Sequence, residues 1–189
     1  MPDIFVSADI HFNHKKIIEY CNRPWTFEEQ NEEIISRWNN LVKPNDLVYF
    51  LGDMMLIRKK DHGTAKMQEC RDLIKRLNGE IILIKGNHDN FDQETFACFK
   101  EVYQFKEIEI DGEIIALRHK PMPYWNRMLE GRAHLFGHLH EKLQYLPLGV
   151  AINVGIDAPL WNYGPAPWET LKQKIKERRK IYLESRTRE

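Results

Sequence analysis

Five short stretches of this 189-residue chain place carboxylates, imidazoles and an amide at the ends of apolar runs. They are Asp9-x-His11, Gly52-Asp53, Gly86-Asn87-His88-Asp89, His119 and Gly137-His138-x-His140. Each has an ordinary explanation when taken alone. Asp9 fits a helix cap, and Gly52-Asp53 and Gly86 to Asp89 fit turns built from turn residues. A single histidine at a strand end fits a hydrogen-bonded surface side chain. Five independent coincidences are a poor explanation for the recurrence. Imidazole and oxygen donors in this mixture suit Mn, Fe, Zn or Ni. The absence of cysteine from the set argues against a structural zinc site. Two carboxylates, one amide and four imidazoles exceed what one ion needs, and two divalent ions sharing a carboxylate account for the count. Ions paired about 3.5–4 Å apart serve in-line displacement at phosphorus.

Donors so far apart in the chain meet only if the elements between them bring each stretch to one edge. The apolar runs Ile4–Ala8, Leu47–Leu51, Ile81–Lys85, Ile114–Arg118, Ala133–Phe136 and Val150–Val154 read as strands. All but the last deliver one of the five stretches; Gly155-Ile156-Asp157 follows the last. In Asp9-x-His11 and His138-x-His140, an extended backbone would turn both side chains to one side. Helical spacing appears in His14–Cys21, and a clear helix begins at Thr26, where Thr26 and Glu29 fit a capping box. Further helices are expected up to Leu77, near Gln93–Phe99 and over Trp168–Glu184, with a loop over Met54–His62 and a hairpin turn at Asp111-Gly112. Strands alternating with helices early, and hairpin-like strands late, predict an α/β protein with mixed sheets, two of them packed face to face and helices outside. Ligands in such folds sit at the carboxyl ends of strands.

Composition sets the remaining bounds. The length suits one domain. Lys+Arg and Asp+Glu both number 28, so no global attraction to nucleic acid or to a membrane follows. Cys21, Cys70 and Cys98 form no CxxC pair and read as reduced thiols. The beginning of the chain reads as a strand rather than a signal peptide, and no apolar run is long enough to span a membrane. A cytoplasmic protein is expected.

The ordered blocks D-x-H, G-D, G-N-H-D, H and G-H-x-H resemble the calcineurin-like metallophosphoesterase superfamily, and together they span Asp9 to His140. The resemblance implies two mixed β-sheets packed as a sandwich flanked by helices, in one domain over residues 1–189. It implies that Asp9, His11 and His140 hold a first metal, that Asp53 bridges, and that Asn87, His119 and His138 hold a second. It makes His88 the catalytic histidine and Asp89 its orienting carboxylate. The opening Asp9 to His14 and the pair Arg23-Pro24 are similar to a small bacterial and phage branch of the superfamily, which names no substrate.

Two cations lower the pKa of a shared water toward neutrality, so a hydroxide attacking phosphorus is the expected nucleophile, with His88 giving a proton to the leaving group. His14 fits either a helix-start hydrogen bond or a contact with the metal-holding residues or the substrate. Arg118 should face away from His119, which leaves Arg23 and Arg127 as the cationic substrate contacts. With so few cations a singly charged phosphodiester, small or nucleotide-derived, is expected over a monoester. A phosphomonoesterase or nucleotide phosphatase, and a nuclease, are the alternatives. For the nuclease, Tyr124, Trp125, Trp161 and Tyr163 would stack bases, although ordinary packing accounts for such aromatics more simply. The basic run Lys172–Lys180 reads as a solvated helix face. A scaffold of the same fold without metals is the non-enzyme alternative, and the intact set of blocks speaks against it.

Overall fold

The computed structural model describes residues 2–187. In chain order the elements are β1 (Ile4–Ser7), α1 (Lys15–Tyr20), α2 (Phe27–Leu41), β2 (Leu47–Phe50), α3 (Ala65–Lys75), β3 (Glu80–Ile84), α4 (Gln93–Phe96), β4 (Glu101–Tyr103), β5 (Lys106–Ile110), β6 (Glu113–Leu117), β7 (Ala133–Phe136), β8 (Val150–Asn153), β9 (Ala166–Pro167) and α5 (Trp168–Arg186). One sheet has the order β4-β3-β2-β1-β9 and the other β5-β6-β7-β8. Both are mixed: β1 to β4 run parallel with β9 antiparallel at the edge, and β5 is antiparallel to a parallel β6-β7-β8.

Side-chain alternation sorts the strands onto two cores, because successive residues of a strand face opposite sides. Phe5, Val48, Phe50, Ile81 and Leu83 turn outward and pack under α2 and α3 against Ile34, Trp38, Met67, Leu73 and Ile74. Val6, Tyr49, Leu51, Ile82 and Ile84 turn the other way and meet Ile115, Leu117, Leu135, Val150 and Ile152 of the second sheet. That inner layer makes the pair of sheets a sandwich, as the sequence predicts, and α5 adds Leu171 and Ile175 to it. The capping box at the head of α2 is present, with the Thr26 hydroxyl accepting from the Glu29 N–H and the Glu29 carboxylate accepting from the Thr26 N–H. No described helix is long and apolar enough to cross a membrane.

Two strands escaped the sequence reading. β4 has three residues and β9 has two, too few to show a period. The basic carboxy-terminal helix is partly neutralised: Lys172 pairs with Asp111 and Arg179 forms a two-pronged contact with Glu113.

Candidate metal centre

Strands β1, β2, β3, β6 and β7 each end in one of the five stretches, and their loops are laced into one body by the main chain. Asp9 N–H donates to Gly52 C=O at 2.9 Å, His11 N–H to Asp53 C=O at 3.0 Å, and Gly137 N–H to His119 C=O at 2.9 Å. The Gly52 and Gly86 loops touch so closely that a Cβ on Gly86 would lie 2.1 Å from Asp53 Oδ1, and one on Gly52 2.2 Å from the Gly86 nitrogen. Any side chain at either position would force the two loops apart.

The same convergence gathers two clusters of donor atoms. Asp9, His11 and His140 form one, and Asp53, His119 and His138 the other, with the donors of each cluster within 4.8 Å of one another. Asp53 Oδ2 joins them, lying 3.7 Å from His11 Nε2 and 3.3 Å from His119 Nε2. Asn87 Oδ1 stands 3.1 Å from His119 Nε2, on the side of the second cluster. His119 Nδ1 lies 2.7 Å from Leu51 C=O and acts as the donor there, so Nε2 is the nitrogen turned to the cluster. His140 is held in the same way, with Nδ1 at 2.8 Å from Asp157 Oδ2.

The paired motifs reach the site by a route different from the expected one. Asp9, His11, Asp53, His138 and His140 all have left-handed backbone, with φ of 63°, 53°, 60°, 70° and 50°. The segments 9–11 and 138–140 are therefore not extended; through repeated left-handed residues the first puts both its side chains in one cluster, and the second sends His138 to one cluster and His140 to the other. Such conformations cost an aspartate or histidine of order 1 kcal/mol or more each and gather at functional sites.

The electrostatics ask for positive charge. Asp9 Oδ1 and both ring nitrogens of His11 are buried with no hydrogen-bond partner. Orphaned buried polar atoms cost on the order of 1–3 kcal/mol each, and a cation held by this cluster would take up Asp9 Oδ1 and one ring nitrogen of His11. Burial pushes the Asp9 carboxyl up to about 6. At His119 burial acts downward, but the Asp53 and Asp9 carboxylates outweigh it and raise the imidazole to about 9. Burial also opposes ionisation of Asp53, yet the hydrogen bond and charge of His119 prevail and hold it well below the usual carboxylate range. The residues present thus fit divalent ions.

Two expected roles are corrected, those of Arg23 and Asp89. Arg23 is not a substrate contact: it is buried, and its guanidinium is fully engaged. Its Nε and NH2 hold the Asp157 carboxylate at 2.7 and 3.0 Å, NH1 donates to Ile10 C=O and Gln30, and NH2 donates to Asp9 C=O. Arg23 therefore ties the Asp9–His11 loop to the residue that orients His140. Asp89 does not orient His88. Its buried carboxylate accepts from the Asp53, Met54 and Gly86 N–H groups at 2.9, 3.0 and 2.8 Å, fastening the two glycine loops together. Arg127 is exposed and pairs with Glu130 of its own turn.

His88 keeps its place, with Nε2 3.9 Å from Asp53 Oδ2 and the side chain 35% exposed. His14 makes the helix-start hydrogen bond, its Nδ1 accepting from the Ile17 N–H at 3.1 Å, and its ring centroid is 5.6 Å from that of His11. Trp125 and Trp161 are buried, with their indole N–H groups donating to Arg132 and Asn153 carbonyls, and Tyr163 packs on Trp25. Asp157 is the functional residue the sequence reading missed. Its signal was an apolar run followed by Gly155-Ile156-Asp157, one residue longer than the Gly52-Asp53 that marks Asp53.

Comparison with known proteins agrees with this geometry. The model of one family, described as calcineurin-like phosphoesterase, matches residues 2–112. An uncharacterized protein of Methanocaldococcus jannaschii is 36% identical over 180 residues, which cover 93% of this chain and 92% of that one. The Gene 66 protein of Mycobacterium phage L5 is 30% identical over 90 residues, 47% of this chain and 41% of the phage protein. Among solved structures, a protein of unknown function from Aquifex aeolicus matches with a TM-score of 0.66 at 25% identity, covering 92% of this chain and 99% of the other. The family match and the convergence of its motif residues lead to one conclusion: the chain belongs to the calcineurin-like phosphoesterases and is a metal-dependent hydrolase of phosphoric esters.

Proposed function

We propose that this chain is a single-domain phosphodiesterase with a binuclear centre. Asp9, His11 and His140 take one ion, Asn87, His119 and His138 the other, and Asp53 lies between. The observation that carries the reading is the pair of donor clusters joined at Asp53, one of them with three orphaned buried atoms. The donor chemistry suits Mn, Fe, Zn or Ni, with manganese the first to test. Ions bound there would activate a water and offset the charge that develops on the phosphoryl oxygens.

The protein's own groups supply the rest. His88 is half-exposed at the rim, near Asp53 yet outside both clusters, so its ring is free to hand a proton to the leaving oxygen. Asp89 keeps the His88 loop and the Asp53 loop in register. Arg23 and Asp157 fix the ring of His140. The diester preference rests on charge. Arg23 engages Asp157, Gln30 and two carbonyls inside the protein, and Arg127 pairs with Glu130 of its own turn, so neither is set against the scissile phosphate to balance the second negative charge of a monoester.

Elemental analysis should find about two divalent ions per chain and a much lower content in Asp53→Asn. With Mn²⁺, kcat/KM should be higher for bis(nitrophenyl) phosphate than for nitrophenyl phosphate. A single ion in the wild type, or full occupancy in Asp53→Asn, would sink the binuclear assignment. A preference for the monoester would overturn the diester assignment.

A further inference from the structure

Beside the metal centre lies a cleft of about 430 Å³. Residues 12–16, which follow His11, form one side, and Met55, Leu56 and Arg58, which follow Asp53, form the other. The cleft therefore begins where two of the ligand loops end, and His14, next to His11, is on its wall. Four cations line it, Lys15, Lys16, Arg58 and Lys66, and no carboxylate does. Lys66 is spoken for, since its ammonium donates to Leu56 C=O and pairs with Asp61 at 3.2 Å. Lys15, Lys16 and Arg58 are exposed and pair with no carboxylate among the described residues. In a chain with as many acidic as basic residues, three free cations facing one space beside a phosphoesterase centre are a local excess. Tyr20 lines the same cleft with 63% of its surface exposed.

We propose that this cleft binds a second phosphate of the substrate, the neighbour of the scissile group in a nucleotide chain. The inference rests on the phosphodiesterase reading above and narrows it to nucleotide chains with more than one phosphate. Free ammonium and guanidinium groups are the usual partners of a backbone phosphate. An exposed aromatic face beside them gives an unstacked base a surface to lie on. Neither feature has a use with an isolated diester. The cleft is also of a size to hold a nucleotide.

The test separates binding from turnover. Binding is read by fluorescence anisotropy on Mn²⁺-loaded protein, with a labelled single-stranded hexathymidylate carrying phosphorothioate linkages. The triple variant Lys15→Ala/Lys16→Ala/Arg58→Ala should bind about tenfold or more weakly, and the slope of log affinity against log salt should shrink by about 0.7, the share of one phosphate on a single strand. A control triple variant on α5, Lys174→Ala/Lys176→Ala/Lys180→Ala, should show neither change. Unaltered affinity and slope in the cleft variant, or an equal loss in the control, would overturn the proposal. In turnover, the ratio of kcat/KM for hexathymidylate to that for bis(nitrophenyl) phosphate should fall at least about tenfold in the cleft variant. An unmoved ratio would likewise overturn it. Absence of turnover on both diesters in the wild type would refute the phosphodiesterase reading instead, while the binding arm would still decide the cleft.

Discussion

His11 and His134 are both buried histidines at or beside a strand, and burial pushes both imidazoles down, His134 to about 4. Their surroundings differ in one respect. His134 Nδ1 donates to Ala116 C=O at 3.0 Å and its Nε2 accepts from the Met122 N–H at 3.2 Å, and its ring lies against Trp125 and Phe136. Neither ring nitrogen of His11 has a partner. His134 is a polar plug whose hydrogen bonds are complete. His11 is equally buried with its bonds withheld, and a fold bears that cost only where something else completes them. Burial and a shifted pKa therefore do not separate a functional histidine from a structural one in this protein; satisfaction of the ring nitrogens does.

Four experiments would break or sharpen that contrast. His11→Ala should lose the ion of the first cluster, with turnover of every ester falling to background. Its metal-free form should melt closer to the wild type than that of His134→Ala does, since no hydrogen bond is removed. An unchanged metal content in His11→Ala would erase the distinction. His88→Ala is the intermediate case, a half-exposed histidine outside both clusters. It should keep its metal and lose about 10²–10⁴ in turnover on an ester with a poor leaving group. The deficit should narrow on a nitrophenyl ester, whose leaving group needs little protonation; an equal deficit on both would make His88 a positioning residue.

His134→Ala should keep full metal content and lose about 3 kcal/mol of stability in denaturant melts, because it leaves a cavity and two unpaired main-chain groups. Loss of metal from that variant at temperatures where it is folded would contradict a purely structural role. The smallest effect is in acid. The folded pKa of His134, about 4, lies below its ordinary value of 6.5, so the unfolded chain takes up the proton first. Its contribution is complete above pH 6.5 and fades as pH falls toward 4. By pH 5 about 2 kcal/mol of it is lost. His134→Gln should show a flatter stability profile across this window; a profile parallel to the wild type would mean that His134 is protonated in the fold.

Much of this arrangement was legible in the sequence because strand and ligand are adjacent. An apolar run such as Ile81–Lys85 announces the strand, and Gly86-Asn87-His88 announces what it delivers. Interactions that join distant segments were not legible. Arg23 beside Pro24 looks like a loop cation, and only the fold brings Asp157 to it. Asp89 follows His88 directly, which suggests an orienting pair, yet its carboxylate points into the neighbouring glycine loop. The left-handed backbones were hidden for a related reason. Aspartate and histidine enter that region more readily than most residues but do not dictate it; here hydrogen bonds across the loops, such as His138 N–H to Asp9 Oδ2 at 2.8 Å, accompany it.

That last bond, and the Arg23–Asp157 pair, also bear on the order in which the chain folds. They close loops of 129 and 134 residues. Contacts of such long range are slow to form and cannot begin before the later partner exists. As the chain is synthesised, the first sheet can assemble strand by strand while Asp9 and Arg23 wait in water for groups not yet made. The centre is thus completed late, after β8 has joined the second sheet. A nascent or truncated chain that stops before Asp157 can carry most of the family's signature and still lack the carboxylate that holds the ring of His140, so metal capture would be expected to report on completed synthesis as well as on correct folding.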